Sequence, residues 1–464
     1  MINRRLTSAE AADRLGVKPA TLYAYVSRGL LHPERTPRGS FFDLREVVQL
    51  ARTARNPGRP DGAAARSTRR AGVEPGGGDP LFVTELTLIE GGRLYYRGLD
   101  AVELARTRTF EETAGWLWTG EWEQGGTGWT VPPATAGPLA RAMAWLPPGT
   151  APVERFMTAV VAASACDQLR HDLNPAGVPV TGRSLLSVLA ASLPRAGRGP
   201  GAGRGEGGER GDGSGRGQGE EGGEGGAGAG ASPLSDRVWR GLTGRPVVAA
   251  GVAAVEAALV LAADHELAPS TLAARVAASF RADPYAVVLT GLGPASGSWH
   301  SGSTGAPSEV ESLLGDAATT GPERAIGERL RRGAEVPHGF GMPLYPDGDP
   351  RAAELLSRLE GIGPPDRLEV VCRLVEVGRE RGFPPPNFDL GLGALSYCAE
   401  MVPGAAQAMF TLGKVAGWLA HAIEEYTSPT RFRSRADYVG PPPETPESPG
   451  SPGVTESPEG APAP

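Results

Sequence analysis

Residues 196–232 consist almost entirely of Gly, Arg, Glu and Ser with no apolar period, and this stretch dictates how the chain can be partitioned. It cannot bury enough apolar surface to offset its ordering entropy, so it is expected to be a disordered insertion. Two further stretches share that character. Residues 55–80, running from Asn56-Pro57-Gly58-Arg59-Pro60 to Gly76-Gly77-Gly78, read as a flexible linker, and the Pro-rich end, 441–464, as a disordered tail. Foldable sequence is therefore confined to a head at 1–54 and a body at 81–195 and 233–440.

The body must be helical. Aromatics make up only 6% of the chain, so its core relies on Leu, Val and Ala. Ala114, Leu117 and Trp118 share a helix face, as do Val252, Val255, Leu259 and Ala262, and then Leu272, Val276 and Phe280. Helices are also expected at 353–359 and 368–377. Only the stretch 84–96 alternates at period two, which suggests a hairpin. The three cysteines are far apart and form no disulfide framework or metal-binding spacing. The longest apolar stretch, 251–263, contains Glu256 and falls short of the roughly 20 residues that span a bilayer. With no apolar signal segment at the N-terminus, a soluble, reducing, cytoplasmic setting without membrane contact is expected.

Charge divides head from body. Residues 1–70 carry a net charge of +8 within a chain of net −7, an asymmetry that points to nucleic acid. Thr7-Ser8-Ala9-Glu10 has capping-box spacing, Gly16 supplies a stop, Pro19 suits the first position of a second helix, and Gly29 ends it. A third helix is expected from Asp43 and Glu46 to Leu50. This arrangement resembles a MerR/excisionase-type helix-turn-helix, which would offer Thr21, Tyr25 and Arg28 to the major groove of double-stranded DNA. A small helical bundle for protein contacts is the alternative. Basic charge is nearly all arginine; lysine occurs only at Lys18 and Lys414.

Five of the six histidines can be weighed singly. His32 and His421 read as structural or exposed. His265 closes a helix, His300 lies among small residues in Gly297-Ser298-Trp299-His300-Ser301-Gly302, and His338 precedes Gly339-Phe340-Gly341. No spacing supports a metal site, and the Gly-rich stretch lacks the Lys-Ser/Thr ending of a phosphate loop. Asp389, after Pro384-Pro385-Pro386-Asn387-Phe388, is either a helix N-cap or a general base.

From about 81 to 440 the chain resembles the citrate synthase family. The matching pieces occur in order: Tyr96-Arg97-Gly98; Ala263-Asp264-His265-Glu266; Trp299-His300; Gly339-Phe340-Gly341 with Asp349-Pro350-Arg351; Pro386-Asn387-Phe388-Asp389; Val415-Ala416-Gly417-Trp418; and Arg433 with Arg435-Ala436-Asp437-Tyr438. The resemblance implies an all-α homodimer with a large and a small domain (the latter at roughly 300–400). It implies an acyltransferase that condenses acetyl-CoA with oxaloacetate to citrate and CoA, with acetyl-CoA as substrate and no cofactor. By the same resemblance Asp389 and His300 are catalytic. His265, Arg351, Lys414 and Arg433 hold oxaloacetate, with Arg433 reaching in from the partner subunit. Gly339, Phe340, Gly341 and Asn387 approach the CoA.

Three positions depart from the family. Met342 stands where the family has a second catalytic histidine, and thioether sulfur donates neither hydrogen bond nor proton. Lys414 replaces an arginine, keeping the charge but losing the bidentate fork. Ser303-Thr304 replaces Ala-Asn. His338, four residues before Met342, is the candidate for the vacant place. Three readings follow: an enzyme acting on oxaloacetate or a related 2-oxo acid; a DNA-binding regulator whose body senses a metabolite without turnover; and an inactive subunit paired with an active relative.

Overall fold

The computed structural model describes residues 5–15, 17–36, 39–43, 46–47, 50, 82–122, 128–194, 232–297 and 307–428. The linker at 55–80, all but Ser232 of the stretch 196–232, the tail at 441–464, His300 and Arg433 lie outside the described residues, as do residues 44, 45, 48 and 49 of the expected third helix of the head. The chain divides into two units, Met1–Thr87 and Leu88–Pro464.

The head comprises β1 (Arg5–Thr7), α1 (Ser8–Leu15), α2 (Pro19–Ser27), β2 (Glu34–Thr36) and β3 (Gly39–Asp43). The capping box forms: the Thr7 N–H donates to Glu10 Oε2 (2.7 Å) and the Glu10 N–H to Thr7 Oγ1 (3.3 Å). Pro19 opens α2, and Gly29 follows it at φ 68°, a left-handed conformation that glycine adopts without strain. The strands form an antiparallel sheet in the order β1-β3-β2, with Leu6 opposite Phe42. That pair packs with Ala11, Ala12, Leu22 and Leu31 into the core of the head. The head is thus helices plus a small sheet. Strands of three to five residues offer too few positions for an alternating pattern to register in sequence.

The body begins with a small sheet of β4 (Thr87–Glu90), β5 (Arg93–Tyr96) and β6 (Leu99–Asp100), where the hairpin was expected. Its helices are α3 (Ala101–Thr107), α4 (Phe110–Thr119), α5 (Pro133–Trp145), α6 (Pro152–Cys166), α7 (Val178–Ser192), α8 (Leu234–Leu242), α9 (Ala249–Ala262), α10 (Pro269–Ser279), α11 (Pro284–Ala295), α12 (Pro307–Thr320), α13 (Pro322–Arg331), α14 (Pro350–Leu356), α15 (Pro365–Glu380), α16 (Phe388–Cys398) and α17 (Ala405–Thr427). None of the described helices is long and apolar enough to cross a membrane.

Helix α17 is the axis of the body. It is buried over most of its 23 residues and packs against α4, α7, α9, α10, α11 and α16. Glu311 of α12 holds its start by accepting from the Gly404 and Ala406 N–H groups (2.8 Å each), a carboxylate at the positive end of a helix. Gly417 lets α9 approach: a Cβ there would overlap the Ala263 carbonyl oxygen and lie 2.6 Å from Asp264 Oδ1. At the end of α9, the buried Tyr96 hydroxyl donates among the carbonyls of Val260, Leu261 and Asp264 (3.1–3.2 Å), covering acceptors that a helix terminus leaves open.

One expected face is reversed. Leu272 and Phe280 of the α10 segment point outward, Phe280 being 63% exposed, while Thr271, Ala274, Arg275 and Ala278 face inward. Arg275 turns inward because two carboxylates of α17 receive it, an arrangement that apolar periodicity cannot signal.

Candidate active site

Five separated segments meet around a cavity of about 450 Å³. The turn after α9 supplies His265 and Glu266, the start of α14 Arg351, the first turn of α16 Asp389, and α17 Lys414. Leu267, Met342, Leu344, Phe388 and Phe410 provide apolar wall. His265, Arg351, Lys414 and Asp389 are therefore brought together.

Asp389 is not the N-cap of its helix. That role falls to Asn387, whose Oδ1 accepts from the Asp389 and Leu390 N–H groups (3.1 and 3.3 Å). Asp389 sits within the first turn, 4% exposed, where the helix dipole favours the ionised carboxylate. Arg351 is fixed by Asp349, which accepts from its Nε (3.0 Å) and Nη2 (2.8 Å) as well as from the Phe388 N–H (3.1 Å). Its guanidinium lies over the rings of Phe388 (4.6 Å) and Tyr345 (5.3 Å). Burial pushes the Tyr345 phenol up to about 12, so it remains a donor at neutral pH, and its hydroxyl lies 2.9 Å from His265 Nε2.

Behind the cavity runs a buried chain of charge. Lys414 Nζ lies 3.4 Å from Asp264 Oδ1, and His421 Nε2 donates to Asp264 Oδ2 (3.2 Å). Arg275 Nη1 donates to His421 Nδ1 (3.0 Å) and also lies 2.9 Å from a Glu424 carboxylate oxygen, while Nε donates to Glu425 Oε1 (2.7 Å). Burial pushes the Lys414 ammonium below the usual lysine range, against the pull of Asp264. His421 is thus a fully buried structural residue. Tyr345, Asp264 and Arg275 escaped the sequence-based assignment of roles. Asp264 alone carried a signal, its place beside His265.

The residues expected at CoA form a buckle beside the cavity's Met342. None of Gly339, Phe340, Gly341 and Asn387 lines the cavity. Phe340 is 1% exposed, packed on Gly378 and Phe383, and Asn387 Nδ2 donates to the Gly341 carbonyl (3.0 Å). Gly339 and Gly341, at φ 96° and 81°, turn the chain twice so that Met342 reaches the cavity. His338 lies outside the lining, its Nδ1 buried without a hydrogen-bond partner among the described residues. No group of three or more metal-ligating side chains occurs among the described residues. In the head, Thr21 and Arg28 are exposed, whereas Tyr25 packs against the core and Tyr23 is the exposed tyrosine.

The family "Citrate synthase, C-terminal domain" matches residues 78–435, and "MerR family regulatory protein" matches residues 7–39. Citrate synthase 2 of Bacillus subtilis (strain 168) is 30% identical over 194 residues, covering 41% of this chain and 51% of that protein. Putative citrate synthase 2 of Mycobacterium tuberculosis (strain ATCC 25618 / H37Rv) is 34% identical over 203 residues, covering 42% and 53%. The aligned stretches thus span about half the length of these relatives. Citrate synthase from Thermotoga maritima MSB8 superposes with a TM-score of 0.57 at 22% identity, covering 78% of this chain and 94% of that one. Citrate synthase from Thermoplasma acidophilum, solved as a ternary complex with carboxymethyl coenzyme A and oxaloacetate, gives 0.61 at 21%, covering 79% and 95%.

Proposed function

The chain belongs to the citrate synthase family, and we propose that its body is an acyltransferase site condensing acetyl-CoA with oxaloacetate to give citrate and CoA. One observation carries this reading: a buried carboxylate at a helix start, Asp389, faces the same cavity as three cationic or imidazole groups from other segments. Arg351, Lys414 and His265 offer the positive charge and hydrogen bonds that a dicarboxylic 2-oxo acid requires. Asp389 is the group that takes a proton from the acetyl methyl. His300, by family resemblance, donates to the thioester oxygen and holds the enol. Preorganised donors of that kind contribute about 10²–10³ in rate. The enol carbon then attacks the oxaloacetate carbonyl, and water cleaves the resulting thioester. By the same resemblance the working unit is a homodimer in which Arg433 completes the partner's site.

A second reading has its own support. Met342 lines the cavity where an acid is required, and the basic head carries a MerR-type segment. Together these favour a DNA-binding regulator whose body binds the metabolite without turning it over. Thiol release from acetyl-CoA with oxaloacetate, run beside a gel shift on upstream DNA, separates the two. Release that Asp389→Asn abolishes supports the enzyme. No release at any protein concentration, with metabolite-sensitive DNA binding, supports the regulator.

A further inference from the structure

Only two of the chain's 46 basic Lys and Arg residues are lysines, and one of them, Lys414, lies on the cavity wall with its side chain 1% exposed. We propose that Lys414 forms a covalent imine with a 2-oxo acid bound in this cavity, an inference that rests on the reading of the cavity as a 2-oxo acid site.

The two cations of the cavity are held very differently. Arg351 is clamped by Asp349 through two hydrogen bonds of 2.8–3.0 Å. Lys414 has one polar partner among the described residues, Asp264, at 3.4 Å, and that carboxylate is shared with His421. A guanidinium stays protonated and is a poor nucleophile, whereas a desolvated lysine yields a neutral amine. The position that distinguishes this chain from the family's arginine is therefore the one able to do carbonyl chemistry. Burial and the nearby Arg351 both work against the Lys414 ammonium. Arg351 supplies a fixed cation for the acid's carboxylate, which is one bond from the carbonyl carbon.

Asp264 accepts a proton from the ammonium. The neutral Nζ adds to the carbonyl carbon, and the carbonyl oxygen takes up a proton to give a carbinolamine. Nitrogen loses its second proton as the protonated hydroxyl departs. Amine and ketone thus give imine and water, with no oxidant or reductant consumed.

The test is reductive trapping of the full-length protein with oxaloacetate and sodium cyanoborohydride, followed by peptide mass mapping; thermal unfolding is measured in parallel with oxaloacetate alone. Lys18 is an internal control. Burial eases loss of the Lys414 proton, so the reduced adduct should form on Lys414 in clear preference to Lys18 and be absent from Lys414→Arg. If oxaloacetate raises the unfolding temperature but Lys414 stays unmodified, or is modified no more than Lys18, the imine is refuted and the ligand assignment survives. If there is neither stabilisation nor adduct, both fall.

Discussion

Replacing Asp349 by Asn tests how the cavity's principal cation is held. Asp349 Oδ1 accepts from the backbone N–H and Nε of Arg351 (3.0 Å each), and Oδ2 accepts from Nη2 (2.8 Å) and the Phe388 N–H (3.1 Å). Asparagine keeps one acceptor and caps a helix about as well as aspartate, so α14 should still begin normally. Its amide nitrogen, however, would face two donors, and the Arg351 guanidinium, in a residue 2% exposed, would lose its counter-charge. Breaking a buried pair from one side costs about 3–5 kcal/mol, a large share of the roughly 5–15 kcal/mol by which domains are stable. Urea unfolding followed by circular dichroism reads the loss. A dicarboxylate ligand supplies negative charge to the same guanidinium, so oxaloacetate should stabilise Asp349→Asn by more than it stabilises the wild type. A loss below about 1 kcal/mol, or equal stabilisation by oxaloacetate in both proteins, would refute the argument that Asp349 and the ligand serve one cation.

Three further outcomes are expected. Burial, reinforced by Glu111, pushes the Glu256 carboxyl up to about 7 from an ordinary 4.5, so its contribution is full below pH 4.5 and is lost as pH rises through 7. Glu256→Gln should flatten that decline and, above pH 7, gain up to about 3 kcal/mol; parallel pH–stability curves for the two proteins would contradict this. Met342→His should raise thiol release by about 10²–10⁴, with no gain in a Met342→His/Asp389→Asn double variant. Gly417→Ala, whose Cβ would press on the Ala263 carbonyl and Asp264, should cost about 1–3 kcal/mol and weaken oxaloacetate binding, read by thermal unfolding with and without ligand.

The legible parts of this chain are those governed by local rules. Thr7 with Glu10, Pro19 and Gly29 mark the helix boundaries of the head because caps and turns depend on neighbours in sequence. Ala114, Leu117 and Trp118 fall on a buried face because burial follows the helical period. The cavity set was readable only through the order of short motifs; no spacing brings His265, Arg351, Asp389 and Lys414 together across 150 residues of sequence. What stayed hidden depends on tertiary partners. Arg275 faces inward because Glu425 awaits it, Phe340 is a packing residue because Gly378 leaves room for its ring, and Tyr345 matters through one contact to His265.

Calorimetric titration of the full-length chain with oxaloacetate addresses the cavity assignment most directly. Saturable binding at one site per chain is predicted, weakened about tenfold or more in Arg351→Lys, since an ammonium lacks the fork that grips a carboxylate at two points. Absence of binding to the wild type, or undiminished affinity in Arg351→Lys, would contradict it.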